Sequence, residues 1–143
     1  MKRGIGFTLI ELVVAITIVC LLVVVAVASY QDHMTGKDRG LARKALMETA
    51  EWLQLQHARS GTYLVKLPIV QIPADGDAVY QIKLTSSIVN ATDPKAAFPA
   101  TTAETYTVQA VPVGEDVCGI LLLDSTGRTG VTGADALVAD CWR

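Results

Sequence analysis

The sequence predicts an α+β fold: a long N-terminal helix whose second half packs on a small antiparallel sheet of three or four strands. Three observations predict it. From Phe7 to Ala28, a run of 22 residues, only Thr8, Glu11 and Thr17 are polar. Ala42, Ala45, Leu46, Thr49, Ala50 and Leu53 follow the i, i+3, i+4, i+7 spacing of one helical face. "VYQIKLT" and "ETYTVQAVPV" instead alternate with period two, the mark of half-buried strands. A length of 143 residues suits one ordinary domain.

The chain opens "MKRGIGFTLIELVVAITIVC". As a helix, the apolar run reaches about 33 Å, enough to cross the hydrocarbon core of a bilayer. Lys2 and Arg3 precede it and the next basic residue is Lys37, so the positive-inside rule puts the N-terminus in the cytoplasm and the bulk of the chain outside. The basic leader is six residues long and ends in Gly6. Glu11 follows Phe7 by four residues, about one helical turn. A carboxylate in an apolar helix costs a few kcal/mol if left unpaired. Glu11 therefore needs a positive partner or a place near the membrane surface where it can snorkel to water.

"GFTLIELVVAI" resembles the class III signal of type IV pilins and of the related type II secretion pseudopilins. The resemblance implies removal of leader residues 1–6 by a membrane-bound prepilin peptidase that cuts between Gly6 and Phe7 and then N-methylates Phe7. It implies a transmembrane and assembly helix over residues 7–29 and a periplasmic head over residues 30–143. Once the leader has gone, the Phe7 amine is positive. A neighbouring subunit displaced along the helix bundle can offer that amine to Glu11, where low dielectric strengthens the contact. Glu11 then sets the axial offset between subunits, as one polar group sets register in a coiled coil. Many type IV pilins carry proline where this chain has Ala28 and glycine where it has Cys20. Without either helix breaker, residues 12–28 are expected to stay continuously helical.

Residues 30–60 form the amphipathic second half of the helix. Lys37, Arg39, Arg43, Lys44, Glu48 and Glu51 supply its solvated face, with Lys44 and Glu48 at i, i+4. Gly36 and Gly40 are its weak points, and Ser60-Gly61 ends it, Gly61 being suited to a left-handed cap.

Residues 61–143 hold the sheet. After "GTYLVKL", Pro68, Pro73 and Asp75-Gly76-Asp77 mark a connecting loop. The first strand puts Tyr80, Ile82 and Leu84 on one face with Val79, Gln81 and Lys83 opposite; the second alternates Tyr106, Val108 and Ala110 against Thr105, Thr107 and Gln109. "NATDPKAAFPATTA", about residues 90–103, reads as a loop between them, and "CGILLLDSTG" as a third strand closed by Ser125-Thr126-Gly127. The tail "DSTGRTGVTGADALVADCWR" is rich in Gly, Thr and Asp, with few residues to order it by packing. In an exported chain Cys118 and Cys141 can pair as a disulfide; in a cytosolic one they are two buried thiols. Cys20 lies within the apolar run. The tail resembles the disulfide-bounded C-terminal region of type IV pilins, and "CGILLLDSTG" with a terminal "DCW" is similar to minor pilins in particular.

No catalytic constellation, cofactor site or metal site emerges. His33 and His57 have no cysteine nearby, Asp124, Asp135 and Asp140 lack EF-hand spacing and read as solvated loop acids, and no phosphate-binding glycine loop precedes a helix. Lys and Arg total 12 against 14 Asp and Glu, a net charge of −2, which gives no sign of a dedicated nucleic-acid binder. Residues 61–143 hold five Lys or Arg and nine Asp or Glu, a net of 5 − 9 = −4, so clustered positive charge for a phosphate backbone is missing from the head. The expectation is a structural, non-enzymatic subunit of a type IV pilus, a minor pilin. Its partners would be other pilin subunits, the peptidase/methyltransferase and an inner-membrane assembly platform. It would sit in the inner membrane before assembly and in the extracellular fibre after it. A type II secretion pseudopilin is the alternative, followed by a DNA-uptake or adhesin pilin with a ligand-binding head.

Overall fold

The protein is described here from a computed structural model covering residues 8–92 and 97–143. The leader, Gly6 and Phe7 lie outside the described residues. The chain divides into two compact units, with the boundary between Gly36 and Lys37.

Helix α1 runs Leu9–Ser60. Residues 12–28 are helical throughout, and Gly36 and Gly40 do not interrupt it. In the first unit every residue from 8 to 27 is exposed. The apolar stretch Leu9–Val27 is long and apolar enough to span a membrane. In the second unit the predicted stripe is the buried face: Ala42, Leu46, Thr49 and Leu53 are each 0% exposed. Its small residues bring the helix close to the sheet, while Leu46 and Leu53 each contribute about 2 kcal/mol through burial. The helix stops at Gly61, whose φ of 72° takes the left-handed region and whose N–H donates to the His57 carbonyl at 2.8 Å.

The main sheet has five antiparallel strands in the order β1-β2-β5-β6-β7: β1 Gln71–Ile72, β2 Tyr80–Leu84, β5 Thr107–Pro112, β6 Leu121–Asp124 and β7 Thr129–Val131. Between β2 and β5 the chain makes an excursion bearing a second, two-stranded sheet of β3 Val89–Asn90 and β4 Ala97–Phe98. Tyr80, Ile82, Val108, Ala110, Leu121, Leu123 and Val131 face the α1 stripe and complete the main core. Alternation carries Leu122 to the opposite face, where it is buried at 0% exposure and paired with Gly130. Phe98, also 0% exposed, is packed there against Gly130, where any Cβ would intrude on its ring. The head therefore has two apolar layers, one on each face of the sheet.

Three expectations need correction. The sheet has five strands rather than three or four, because β1 and β7 add two- and three-residue edges too short to leave a period in the sequence. Residues 90–103 are not a plain loop: β3 and β4 pair there through Val89↔Phe98 and Asn90↔Ala97. The tail is not short of packing. It forms β7 and helix α2 Val138–Cys141, and buries Val131, Ala136 and Cys141. Its glycines allow this, since Gly130 and Gly133 admit neighbours to within a distance that a side chain would forbid.

Candidate functional site

Two regions carry the candidate residues, one in each unit. In the first, Thr8 accepts backbone hydrogen bonds from the N–H groups of Glu11 and Leu12, at 3.1 and 3.2 Å. Glu11 is the acidic residue of the first turn of α1, where the helix dipole favours negative charge. Its exposed neighbours Leu9, Ile10, Leu12 and Val13 make the surroundings apolar. The Thr17 hydroxyl donates to the Val13 carbonyl at 2.7 Å, so it leaves no unsatisfied group in the apolar run. Cys20 is an exposed free thiol on the same stretch. The predicted partner of Glu11, the Phe7 amine, falls outside the described residues.

In the second unit Cys118 and Cys141 are joined in a disulfide, with Cα atoms 5.9 Å apart and both residues 3% exposed. Cys118 sits in the turn before β6 rather than on the strand expected to carry it. Gly119, at φ 62°, turns the chain there and lies against Thr132 and Gly133. The Trp142 indole Nε1–H donates to the Gly130 carbonyl at 3.2 Å, so the tail is held on both sides of Cys141.

Sequence reasoning missed one buried carboxylate and misplaced another. Asp116, with a side chain 2% exposed, accepts from Arg39 Nη2 at 2.6 Å and Arg39 Nε at 3.3 Å, from the Tyr80 hydroxyl, and from the Cys118 N–H at 2.8 Å. Burial alone would raise the Asp116 pKa, but the hydrogen bonds from Arg39, Tyr80 and Cys118 hold it below the usual carboxylate range. Burial first, and Asp116 second, push the Tyr80 phenol up, so it stays a donor. No sequence signal joins Arg39 to Asp116 across 77 positions.

Asp124 corrects an expectation. The sequence suggests a solvated loop acid, yet Asp124 is 5% exposed. Its Oδ1 accepts from the Thr126 N–H and hydroxyl and from the Arg128 N–H, and its Oδ2 from Arg128 Nε at 2.9 Å. Against the burial that would raise it, these bonds hold its pKa down. Arg128 then lies 4.3 Å over the Phe98 ring and donates to the Ala97 carbonyl at 3.0 Å, locking the β3–β4 excursion to the sheet.

Among the described residues of 61–143, the two arginines are each paired with an acid. Arg128 is paired with Asp124, and Arg143 with Asp140 at 2.9 Å. The exposed Lys66 lies in the loop after α1 and the exposed Lys83 on β2, while Lys37, Lys44 and Arg59 are exposed on α1. Among the described residues, no group of three or more His, Cys, Asp or Glu converges on a metal position.

The comparisons agree with this architecture. The family "Type IV minor pilin ComP, DNA uptake sequence receptor" matches residues 28–122. The prokaryotic N-terminal methylation motif matches residues 1–27. No curated protein matches. Among solved structures the fold is similar to the non-core minor pilin PilV of Neisseria meningitidis, at 14% identity and a TM-score of 0.50, covering 74% of this chain and 94% of that one.

Proposed function

We propose, for a chain that belongs to the family of the type IV minor pilin ComP, DNA uptake sequence receptor, that a charge pair between Glu11 and the Phe7 amine of a neighbouring subunit builds it into the pilus fibre. As a minor pilin with a prepilin signal, it is a substrate for prepilin peptidase and a fibre subunit. The apolar helix and the signal fit anchoring in a membrane before assembly. The finer reading is a six-residue leader cut between Gly6 and Phe7, methylation of Phe7, residues 7–29 as the assembly helix, and residues 30–143 as an exported head. The N-terminus would be cytoplasmic, and an inner-membrane platform would receive the processed subunit. The head would serve a structural role rather than a catalytic one.

The observation that carries the Glu11 role is its placement. It is the one acidic residue on the apolar stretch Leu9–Val27, in the first turn of the helix. In a bundle of such helices an unpaired carboxylate is costly, and a cation from the next subunit offsets that cost at a single axial displacement. Mass analysis of the N-terminus in sheared fibres, with Glu11→Val compared in parallel, tests it. The expected result is a chain beginning at methylated Phe7 in the fibre and loss of the variant from it. Equal incorporation of Glu11→Val would refute the pairing.

A second reading comes from the family's description as a DNA uptake sequence receptor. The paired state of Arg128 and Arg143 and the excess of acids in the head favour structure over phosphate binding. An electrophoretic shift assay with the full chain in detergent micelles separates the two. Tight, salt-sensitive binding of duplex DNA would put reception first.

A further inference from the structure

The Asp116 carboxylate supports an inference that does not depend on fibre assembly. Its donors come from three places: Arg39 on α1, Tyr80 on β2 and the backbone N–H of Cys118 two residues on. Around the same turn, the Cys118 carbonyl accepts from the Gly133 N–H at 3.0 Å, and the Ile120 N–H donates to the Thr132 hydroxyl at 2.9 Å. Cys141 is placed by the short helix α2, where its N–H donates to the Leu137 carbonyl at 3.1 Å, and by the Trp142 indole bonded to Gly130. None of these contacts uses a sulfur atom, so all of them can persist when both cysteines are thiols.

We propose that Asp116 is the positioning residue for closure of the Cys118–Cys141 disulfide: by gripping Arg39, Tyr80 and the Cys118 N–H, it keeps the Cys118 thiol facing Cys141 in the reduced, folded head. Closure takes two electrons and two protons from the pair, and an external disulfide such as oxidised glutathione accepts them. One protein thiolate attacks the oxidant and releases one glutathione thiol. The other protein thiolate then attacks the mixed disulfide and releases the second. The second step is intramolecular, and its equilibrium depends on how often the two sulfurs meet. That frequency is what an ordered 116–118 turn raises.

The test is the equilibrium of the full chain in detergent micelles with reduced and oxidised glutathione, which yields the effective concentration of the two thiols. All samples carry Cys20→Ala so that only Cys118 and Cys141 report. Asp116→Asn is expected to lower the effective concentration by about tenfold, the scale of losing a charge-assisted hydrogen bond. Arg39→Gln is expected to lower it in the same direction, and it serves as the second probe if Asp116→Asn folds poorly. Leu53→Val, in the same core but 14 positions from Arg39 along α1, is expected to lower thermal stability and leave the effective concentration unchanged. The proposal is overturned if Asp116→Asn and Arg39→Gln leave the value unchanged, if Leu53→Val shifts it as much as they do, or if the reduced parent chain is unfolded.

Discussion

Opening the Cys118–Cys141 bond isolates one contribution to the stability of the head. The cysteines are separated by 23 positions. In the chain-entropy treatment, a loop of that length removes about 11 cal/mol/K from the unfolded ensemble, or about 3.4 kcal/mol at 25 °C. The bond closes the tail onto the turn before β6, a stretch that also contains all of β6, β7 and α2, so reduction frees much of that half of the head once it unfolds. For a unit the size of residues 37–143, each kcal/mol moves the midpoint by about 4 °C or more, so the reduced chain should melt more than about 12 °C below the oxidised one. The assay is circular dichroism of the full chain in detergent micelles, with and without dithiothreitol and with glycerol gradients to confirm an unchanged assembly state. Melting points within about 3 °C of each other would refute the reasoning. They would mean that the non-covalent contacts at both ends already restrict the unfolded chain or that the bond stores compensating strain.

Gly130→Ala should destabilise the head by about 1–3 kcal/mol, since its Cβ would enter the space of the fully buried Phe98 ring; urea midpoints measure it, and a loss below about 0.5 kcal/mol would mean that the ring moves aside freely. Asp116 and Asp124 have lowered pKa values in the folded head, so between the folded and unfolded values the unfolded chain binds more protons. Their contributions are present above the unfolded value of about 3.9 and are lost as pH falls through the folded values. Urea midpoints followed from pH 6 to pH 2 should therefore decline below about pH 4, and Asp124→Asn should make that decline shallower; an unchanged slope would show that the Arg128 and Thr126 bonds do not favour the ionised form.

Much of the architecture was legible because long elements repeat their signal. The α1 stripe from Ala42 to Leu53 offered a helical period over three turns, and every member of it is buried. Strands β2, β5 and β6 showed alternation or a compact apolar run, and the structure pairs them as neighbours. Gly61 was readable as a cap because a left-handed residue after a helix is almost always glycine. What escaped depends on contacts between distant positions. Strands β1 and β7 exist because β2 and β6 offer them partners, and two or three residues carry no period of their own. The tail looked poor in core residues, but three buried side chains, two close-approach glycines and the disulfide suffice to order it. Asp124 looked like any loop acid because a turn acid ordinarily stays in water, and nothing in the pattern says that Thr126 and Arg128 fold back onto it. Asp116 leaves no local signal, its cation lying 77 positions away on α1. In the candidate assembly region the reverse holds: the "GFTLIE" signal was plain in the sequence, while the pairing proposed for Glu11 would involve a second chain.

The excursion between β2 and β5 leaves and returns at one point of the main sheet. The Thr85 N–H donates to the Thr107 carbonyl at 2.9 Å, and Leu84 pairs directly with Val108. The described parts of the stretch from Ser86 to Thr105 thus form a detour whose two ends already touch, fastened to the outer layer by Phe98, Arg128 and Thr92. Because closing a longer or shorter detour changes the entropy only logarithmically, its length and exposed positions can vary as long as Phe98 and its partners stay in place. The chain can acquire a new outward face there while strands β2 and β5 keep their alignment and the helix keeps its seat.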